Sequence, residues 1–365
     1  MKIKEVLSHL EHRFPLDYQE DFDNCGVQCG DVQREITGVL VCFDMSDETI
    51  GEAIALNANL VISHHPLMLK KGIRKIEPTN RVGRILCKAL EHKMVLYSMH
   101  TNLDSAPGGV NDLFAQKLGL QNVSVLSPLD GGLCKIAFFV PQSHQGIVQD
   151  ALFAAGCGKL GKYEKCAYQL EGHGCFMPTK AADPFIGQPG RMEFVEETRV
   201  EMVFPAARQR KVIEALYASH PYEEPAFDIY KLENPSRTAG LGRVGNLPQP
   251  VDAERFLKSL KSTFGVAAIR YYGNIDQPVQ RVALCGGGGS SFIADALAAG
   301  ADIYVSGDIK YHDFHTADKR MIIADIGHLE SEQFMKEIIV NELKENFTNF
   351  AVSFTQVEAM RIGII

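Results

Sequence analysis

Apolar residues recur along this chain with two different periods. In the opening stretch, MKIKEVLSHLEHRF, they return every three or four positions, which predicts an amphipathic helix. From Gly38 to His65 the pattern changes to unbroken apolar runs, GVLVCF and NLVIS, on either side of a helical SDETIGEAIALNA. Runs of that kind suit strands buried on both faces of a parallel sheet, so the segment reads as a βαβ unit. A second unit runs from Val282 to Asp308, with strand VALC, glycine turn GGGG, helix SSFIADALAAG and strand ADIYVS.

The two units overlay without a gap at an offset of 243, placing Cys42 on Cys285, Ile50 on Ile293, Ile62 on Val305 and Ser63 on Ser306. Each is followed by a further buried-strand signature, MVLYSMHTNLD from Met94 and MIIADIGHLESE from Met321, related by a shorter offset of 227. The chain therefore reads as α/β, with two repeated halves. Between them the order strand, helix, strand, strand, helix, strand, from LCKIAFFV to AFDIYKL, predicts a ferredoxin-like α+β insert. Its joints are SPLDGG and ENPSRTAGLGRVGNLPQP. The expected division is residues 1–125, the insert 126–245, and residues 246–365.

Every candidate ligand lies just past the carboxyl end of a strand of the repeat, where open α/β sheets collect their ligands. His64 and His65 stand in SHHP; because Pro66 holds the residue before it extended, the two imidazoles diverge and suit two ions better than one. Asp104, in HTNLD, follows the next strand, where its bland role is a helix cap. His328 and Glu332, in GHLESE, stand four apart on a helix, ~5 to 6 Å between β-carbons, with Glu330 turned away. Alone, each signal is compatible with a wet loop, a cap or a surface pair. At equivalent strand ends they predict one cleft.

Imidazoles and carboxylates without thiolate suit two divalent ions, zinc foremost, with iron, manganese or nickel as alternatives. A carboxylate-bridged pair of ions ~3.5 to 4 Å apart runs hydrolysis. His100, Asp308 and His312 lie near the same strand ends, as candidates for proton transfer or for orienting a ligand imidazole, against solvated or capping roles. The run Gly286 to Gly289 before Ser290 reads either as a phosphate cradle or as a tight turn beneath the metals. HPYEEP, from His220 to Pro225, reads as a structural stop.

Composition narrows the function classes. Apolar residues make up 45% and charged residues 22% of the 365, as in an ordinary folded protein. A formal net charge of -8, with no basic run, disfavours nucleic acid as a partner. No stretch approaches the ~18 consecutive apolar residues of a membrane span, and the first residues lack a signal-peptide core, so the expectation is a cytoplasmic protein. Nine cysteines, an odd number, point to reduced and mostly buried thiols; Cys25 and Cys29 lack the second pair a zinc site needs.

With FDNCGVQCGD, VISHHPL, HTNLD, the glycine run, SGDIKYHD and GHLESE in this order, the chain resembles the GTP cyclohydrolase 1 type 2 homologs, also called the Nif-three-like family. The resemblance covers residues 1 to about 125 and about 245 to 365, and the insert looks like the PII- or CutA-like domain of the longer bacterial members. It implies a dinuclear site on His64, His65, Asp104, His328 and Glu332, in a toroidal homohexamer whose metal sites face an inner cavity. The activity it implies is metal-dependent hydrolysis of a nucleotide or related small molecule. A metal-handling or regulatory protein without enzymatic activity is the alternative, and binding to DNA or a transcription factor a third reading.

Overall fold

The computed structural model describes residues 1–68, 75–129, 131–236 and 238–357. They divide into two compact units, one of residues 1–128 with 238–365 and one of 129–237. Among the described residues no helix is long and apolar enough to cross a membrane.

The first unit holds two sheets. In the five-stranded sheet the order is Gly26–Cys29, Val95–Ser98, Leu60–Ser63, Gly38–Cys42, Ala351–Phe354. In the six-stranded sheet it is Arg270–Tyr272, Ile322–Asp325, Ile303–Gly307, Pro278–Gly288, Gly240–Asp252, Gln121–Pro128. The first four strands of each correspond one to one: an antiparallel edge strand, then three parallel ones. The repeat read from the sequence is thus a repeat of strand order. Its parallel strands are apolar because helices cover both faces, and every residue of Gly38–Cys42, Leu60–Ser63 and Val95–Ser98 is buried.

The halves exchange strands. Gln121–Pro128, from the amino-terminal half, pairs with Gly240–Asp252 in the second sheet, while Ala351–Phe354 pairs with Gly38–Cys42 in the first. Polar bonds reinforce the exchange. Arg243, 2% exposed, pairs with Asp112 and donates from Nη1 to the carbonyls of Gly240 and Gly242, both at 2.8 Å. A buried cation so placed is costly unless fully satisfied, and here it is, which pins the helix Val110–Lys117 against the second sheet.

The opening helix, Ile3–Arg13, buries Ile3, Val6, Leu7 and Leu10, the face its spacing predicts. The helix Asp47–Ala55 is capped by Ser46, whose side chain accepts from the Thr49 N–H.

The second unit is a four-stranded antiparallel sheet in the order Tyr168–Phe176, Glu193–Pro205, Leu133–Pro141, Phe227–Leu232. Helices Gln145–Ala155 and Gln209–Ser219 pack on one face through Val148, Leu152, Val212 and Leu216, against Ile136, Phe138, Val200 and Met202. In HPYEEP the helix ends at Ser219, and the buried His220 ring meets the Phe139 carbonyl at 2.9 Å.

Candidate metal centre

Strand ends supply the site. After Leu60–Ser63 the chain places His64 and His65; after Val95–Ser98 a short helix, Thr101–Ser105, carries Asp104; after Ile322–Asp325 the helix His328–Glu332 carries both its terminal residues. These five side chains meet. His64 Nε2 lies 3.7 Å from Asp104 Oδ1 and 3.4 Å from Glu332 Oε2. His65 Nε2 lies 3.1 Å from His328 Nε2 and 3.6 Å from Glu332 Oε2, and His328 Nε2 is 3.2 Å from that same oxygen. Two ligand sets follow, His64 with Asp104 and Glu332, and His65 with His328 and Glu332; Glu332 belongs to both. His64, His65 and His100 make a third. Either of the first two, an imidazole-carboxylate set, can hold a divalent ion.

The imidazoles are oriented from behind. His64 Nδ1 is 2.8 Å from the Met99 carbonyl, which can only accept, so Nδ1 carries the hydrogen and Nε2 faces the cluster with its lone pair. His65 Nδ1 meets Asp44 Oδ1 at 2.9 Å, His328 Nδ1 meets Asp308 Oδ2 at 2.7 Å, and His100 Nδ1 meets Asp23 Oδ2 at 2.8 Å. An oxygen behind each ring fixes its tautomer and raises its basicity toward whatever the inner nitrogen binds. Phe43 packs on His64 and His65, with ring centroids at 5.6 and 4.7 Å.

His64 Nε2, Asp104 Oδ1 and Glu332 Oε2 are buried and have no hydrogen-bond partner. Leaving such an atom unpaired costs about 1–3 kcal/mol, a penalty that a cation among the three, or a proton on a neighbouring imidazole, reduces. Their ionisation reflects the same crowding. Burial drives His64 below its ordinary value, against the pull of Glu332. Burial also opposes charge on His65 and His328, yet Asp44 and Glu332 hold His65 up at about 10, and Glu332 and Asp308 hold His328 up at about 9. Asp104 is raised well above the usual carboxyl range by burial and by the charge of Glu332; Glu332, despite burial, is held well below it by His64, His328 and His65. Without metal, protons serve as the counter-charge.

The glycine run lies at a strand end that turns against the cluster, the Gly289 N–H donating back to the Gly287 carbonyl at 3.1 Å. Gly286 to Gly288 continue the strand Pro278–Gly288, and only a 3-10 turn and a six-residue helix follow. The strand passes against Glu332, and at Gly287, with φ +68°, a β-carbon would stand 2.1 Å from Glu332 Oε1. Glycine is required there because the carboxylate fills the space a side chain needs. Asn111 links the two halves of the site, its Nδ2 donating to the Asp104 carbonyl and its Oδ1 accepting from the Gly286 N–H.

Over residues 1–361 the chain matches the model of the family described as Duf34/NIF3, NGG1p interacting factor 3. The chain belongs to the Duf34/NIF3 family. A relative from Halalkalibacterium halodurans, named GTP cyclohydrolase 1 type 2 homolog, is 39% identical over 342 residues, covering 93% of this chain and 91% of its own. A Staphylococcus aureus protein of the same name is 35% identical over 364 residues, covering 100% and 98%. Among solved structures, a Bacillus cereus protein related to NIF3 superposes with a TM-score of 0.86 at 35% identity, covering 100% of this chain and 99% of its own.

In this Duf34/NIF3 chain, all five residues singled out in the sequence come together, and Glu332 rather than Glu330 faces the cluster. Of the three secondary candidates, His100 and Asp308 adjoin it, while His312 is exposed, beside Tyr311, and joins no ligand set among the described residues. Asp44, directly after GVLVCF, went unnoticed in the sequence, and Asp23, inside the quoted motif FDNCGVQCGD, was given no role. Cys25 and Cys29 join no ligand set among the described residues; the Cys25 thiol donates to Asp23 Oδ2 at 3.2 Å, and burial pushes it up to about 12. The nine cysteines are all unpaired, and four are fully buried.

Proposed function

We propose that this protein holds two divalent metal ions, zinc foremost, one on His64, Asp104 and Glu332 and one on His65, His328 and Glu332, with Glu332 shared between them. The observation that carries the reading is the set of unpaired buried acceptors, His64 Nε2, Asp104 Oδ1 and Glu332 Oε2, all aimed at the same point. Three of the five ligands are imidazoles and none is a thiolate, a donor set for an open site and not for a closed structural zinc.

The reaction the site suits best is hydrolysis of a nucleotide or related small molecule, the chemistry the relatives' name suggests. Two bound ions supply Lewis acidity to a substrate oxygen and a nucleophile at neutral pH. The protein's own groups do the rest. Asp44 and Asp308 hold His65 and His328 in the tautomer that presents Nε2. His100, backed by Asp23 and edge-on to both His64 and His65, is placed to accept or return a proton at its Nε2.

The insert fits a PII- or CutA-like domain by its strand, helix, strand, strand, helix, strand order and fully antiparallel sheet. Such an insert favours a second reading, a regulatory or metal-handling protein without turnover. A turnover screen of metal-loaded protein against nucleotides and phosphoesters, beside His64→Ala and Glu332→Ala, separates them. Hydrolysis lost in both variants supports the enzyme; full metal loading with no turnover on any substrate overturns it in favour of the second reading.

A further inference from the structure

Behind Asp44 lies a cavity of about 610 Å³ that none of the five ligand residues lines. It sits over the carboxyl ends of Gly38–Cys42 and Ala351–Phe354, next along the same sheet from the strands that carry His64, His65 and Asp104. The two sites share a wall. Phe43 and Asp44 line the cavity and also touch His65, and Leu329, which follows His328 directly, lines it from the other side. Its size is that of a small-molecule site, ~300 to 1,000 Å³.

Six charged side chains face it, three of each sign, and their pairing decides what it can hold. Asp44 is committed to His65 at 2.9 Å and Asp47 to Arg84 at 3.1 Å, while Glu48 is exposed to solvent. Arg81 donates from Nη2 to the Met45 carbonyl, which fixes the guanidinium without neutralising it. Lys336 has its Nζ 5.4 Å from the Phe354 ring. Among the described residues no carboxylate pairs with either. The unpaired charges facing the cavity are therefore the two cations and the Glu48 carboxylate, which lies in the field of Arg81, a net excess of one positive charge beside the apolar surfaces of Phe43, Leu329 and Val357.

We propose that this cavity binds a small organic anion, a phosphate ester or a carboxylate, through Arg81 and Lys336, with its apolar body against Phe43 and Leu329. The guanidinium and the ammonium bind the anionic group by charge-assisted hydrogen bonds, which are shorter and stronger than neutral ones. A molecule seated there touches the carboxylate that orients His65, so it reaches the metal cluster through one residue. That this molecule is the substrate rests on the metal reading above; that the cavity binds it does not.

Titration calorimetry on the full chain tests the proposal, with phenyl phosphate, benzoate and inorganic phosphate as probes, on metal-loaded protein and on His64→Ala. Phenyl phosphate is expected to bind both proteins, and Arg81→Met and Lys336→Met each to weaken it about tenfold or more. Leu329→Trp, which fills the cavity and removes no charge, is expected to block binding as well. Preference for phenyl phosphate over benzoate identifies a phosphate ligand, and the reverse a carboxylate. Binding unchanged in all three cavity variants, or seen only on metal-loaded protein and lost in His64→Ala, overturns the proposal by placing the anion on the ions. Metal content measured on the same samples keeps the two claims apart: a wild-type chain that takes up no metal yet still binds through Arg81 and Lys336 upholds the cavity and contradicts the metal reading.

Discussion

His64 Nε2 and Glu332 Oε2 face each other at 3.4 Å, both buried, and neither has a hydrogen-bond partner. They come from opposite halves of the repeat, 268 positions apart (332 less 64), so the halves must be docked before the pair exists. A metal bound there links those halves. Removing it with a chelator is predicted to lower the thermal midpoint of the wild type by several degrees, since ligand at about 100 times its Kd stabilises by ~2.7 kcal/mol. Glu332→Gln is predicted to respond to chelator little or not at all, as followed by calorimetric melting with and without added zinc.

Gly287 gives a sharper test, because it has no side chain to offer a metal. Gly287→Ala puts a methyl group 2.1 Å from Glu332 Oε1 at a positive φ, so the carboxylate must leave the cluster or the strand must shift. The left-handed backbone alone costs ~1 to 2 kcal/mol. The variant is expected to fold with a lowered midpoint and to lose at least half of its bound metal. Full metal content would show that Glu332 is not shared between two ions.

Asp44 and Asp308 are not metal ligands and act through the rings, fixing their orientation and raising their basicity. Asp44→Asn and Asp308→Asn are each predicted to weaken metal affinity about 10- to 100-fold in chelator competition while leaving the unfolding midpoint of the metal-free chain within a few degrees. Asp23→Asn, behind His100, is predicted to leave affinity nearly unchanged and to act on turnover alone.

The histidine shifts fix a pH dependence. His65 and His328 are raised in the folded chain to about 10 and about 9 from an ordinary 6.5. Their protonated forms therefore stabilise the metal-free fold fully below pH 6.5, and that contribution is lost as pH rises through 9 to 10. Metal must displace those protons, so affinity is predicted to rise with pH over the same window. Calorimetric titration of zinc at pH 7.5 in two buffers of different ionisation heat reads the released protons directly; no proton release would contradict the assignment of both rings as ligands.

Much of this was legible in the sequence because buried parallel strands are short, continuous and apolar, and ligands follow their carboxyl ends. GVLVCF, NLVIS, MVLYS and MIIAD located the strands, and the residues after the last three located the ligands. Strand exchange was not legible: nothing local in Gln121–Pro128 says that it will pair with Gly240–Asp252 and not with its own half. The reason for Gly287 was hidden in a related way. A run of glycines signals a turn when only the local backbone is considered, whereas Gly287 is glycine because a carboxylate 45 positions away (332 less 287) occupies its side-chain space. Asp44 and Asn111 escaped notice because an orienting hydrogen bond, unlike a ligand, carries no spacing rule.

Anomalous diffraction at the zinc edge, from crystals of the full chain grown with zinc, tests the central claim most directly. The account predicts two peaks per chain, one within coordination distance of His64, Asp104 and Glu332 and the other of His65, His328 and Glu332. A single peak that leaves Glu332 uncoordinated, or no peak at this cluster, would contradict it.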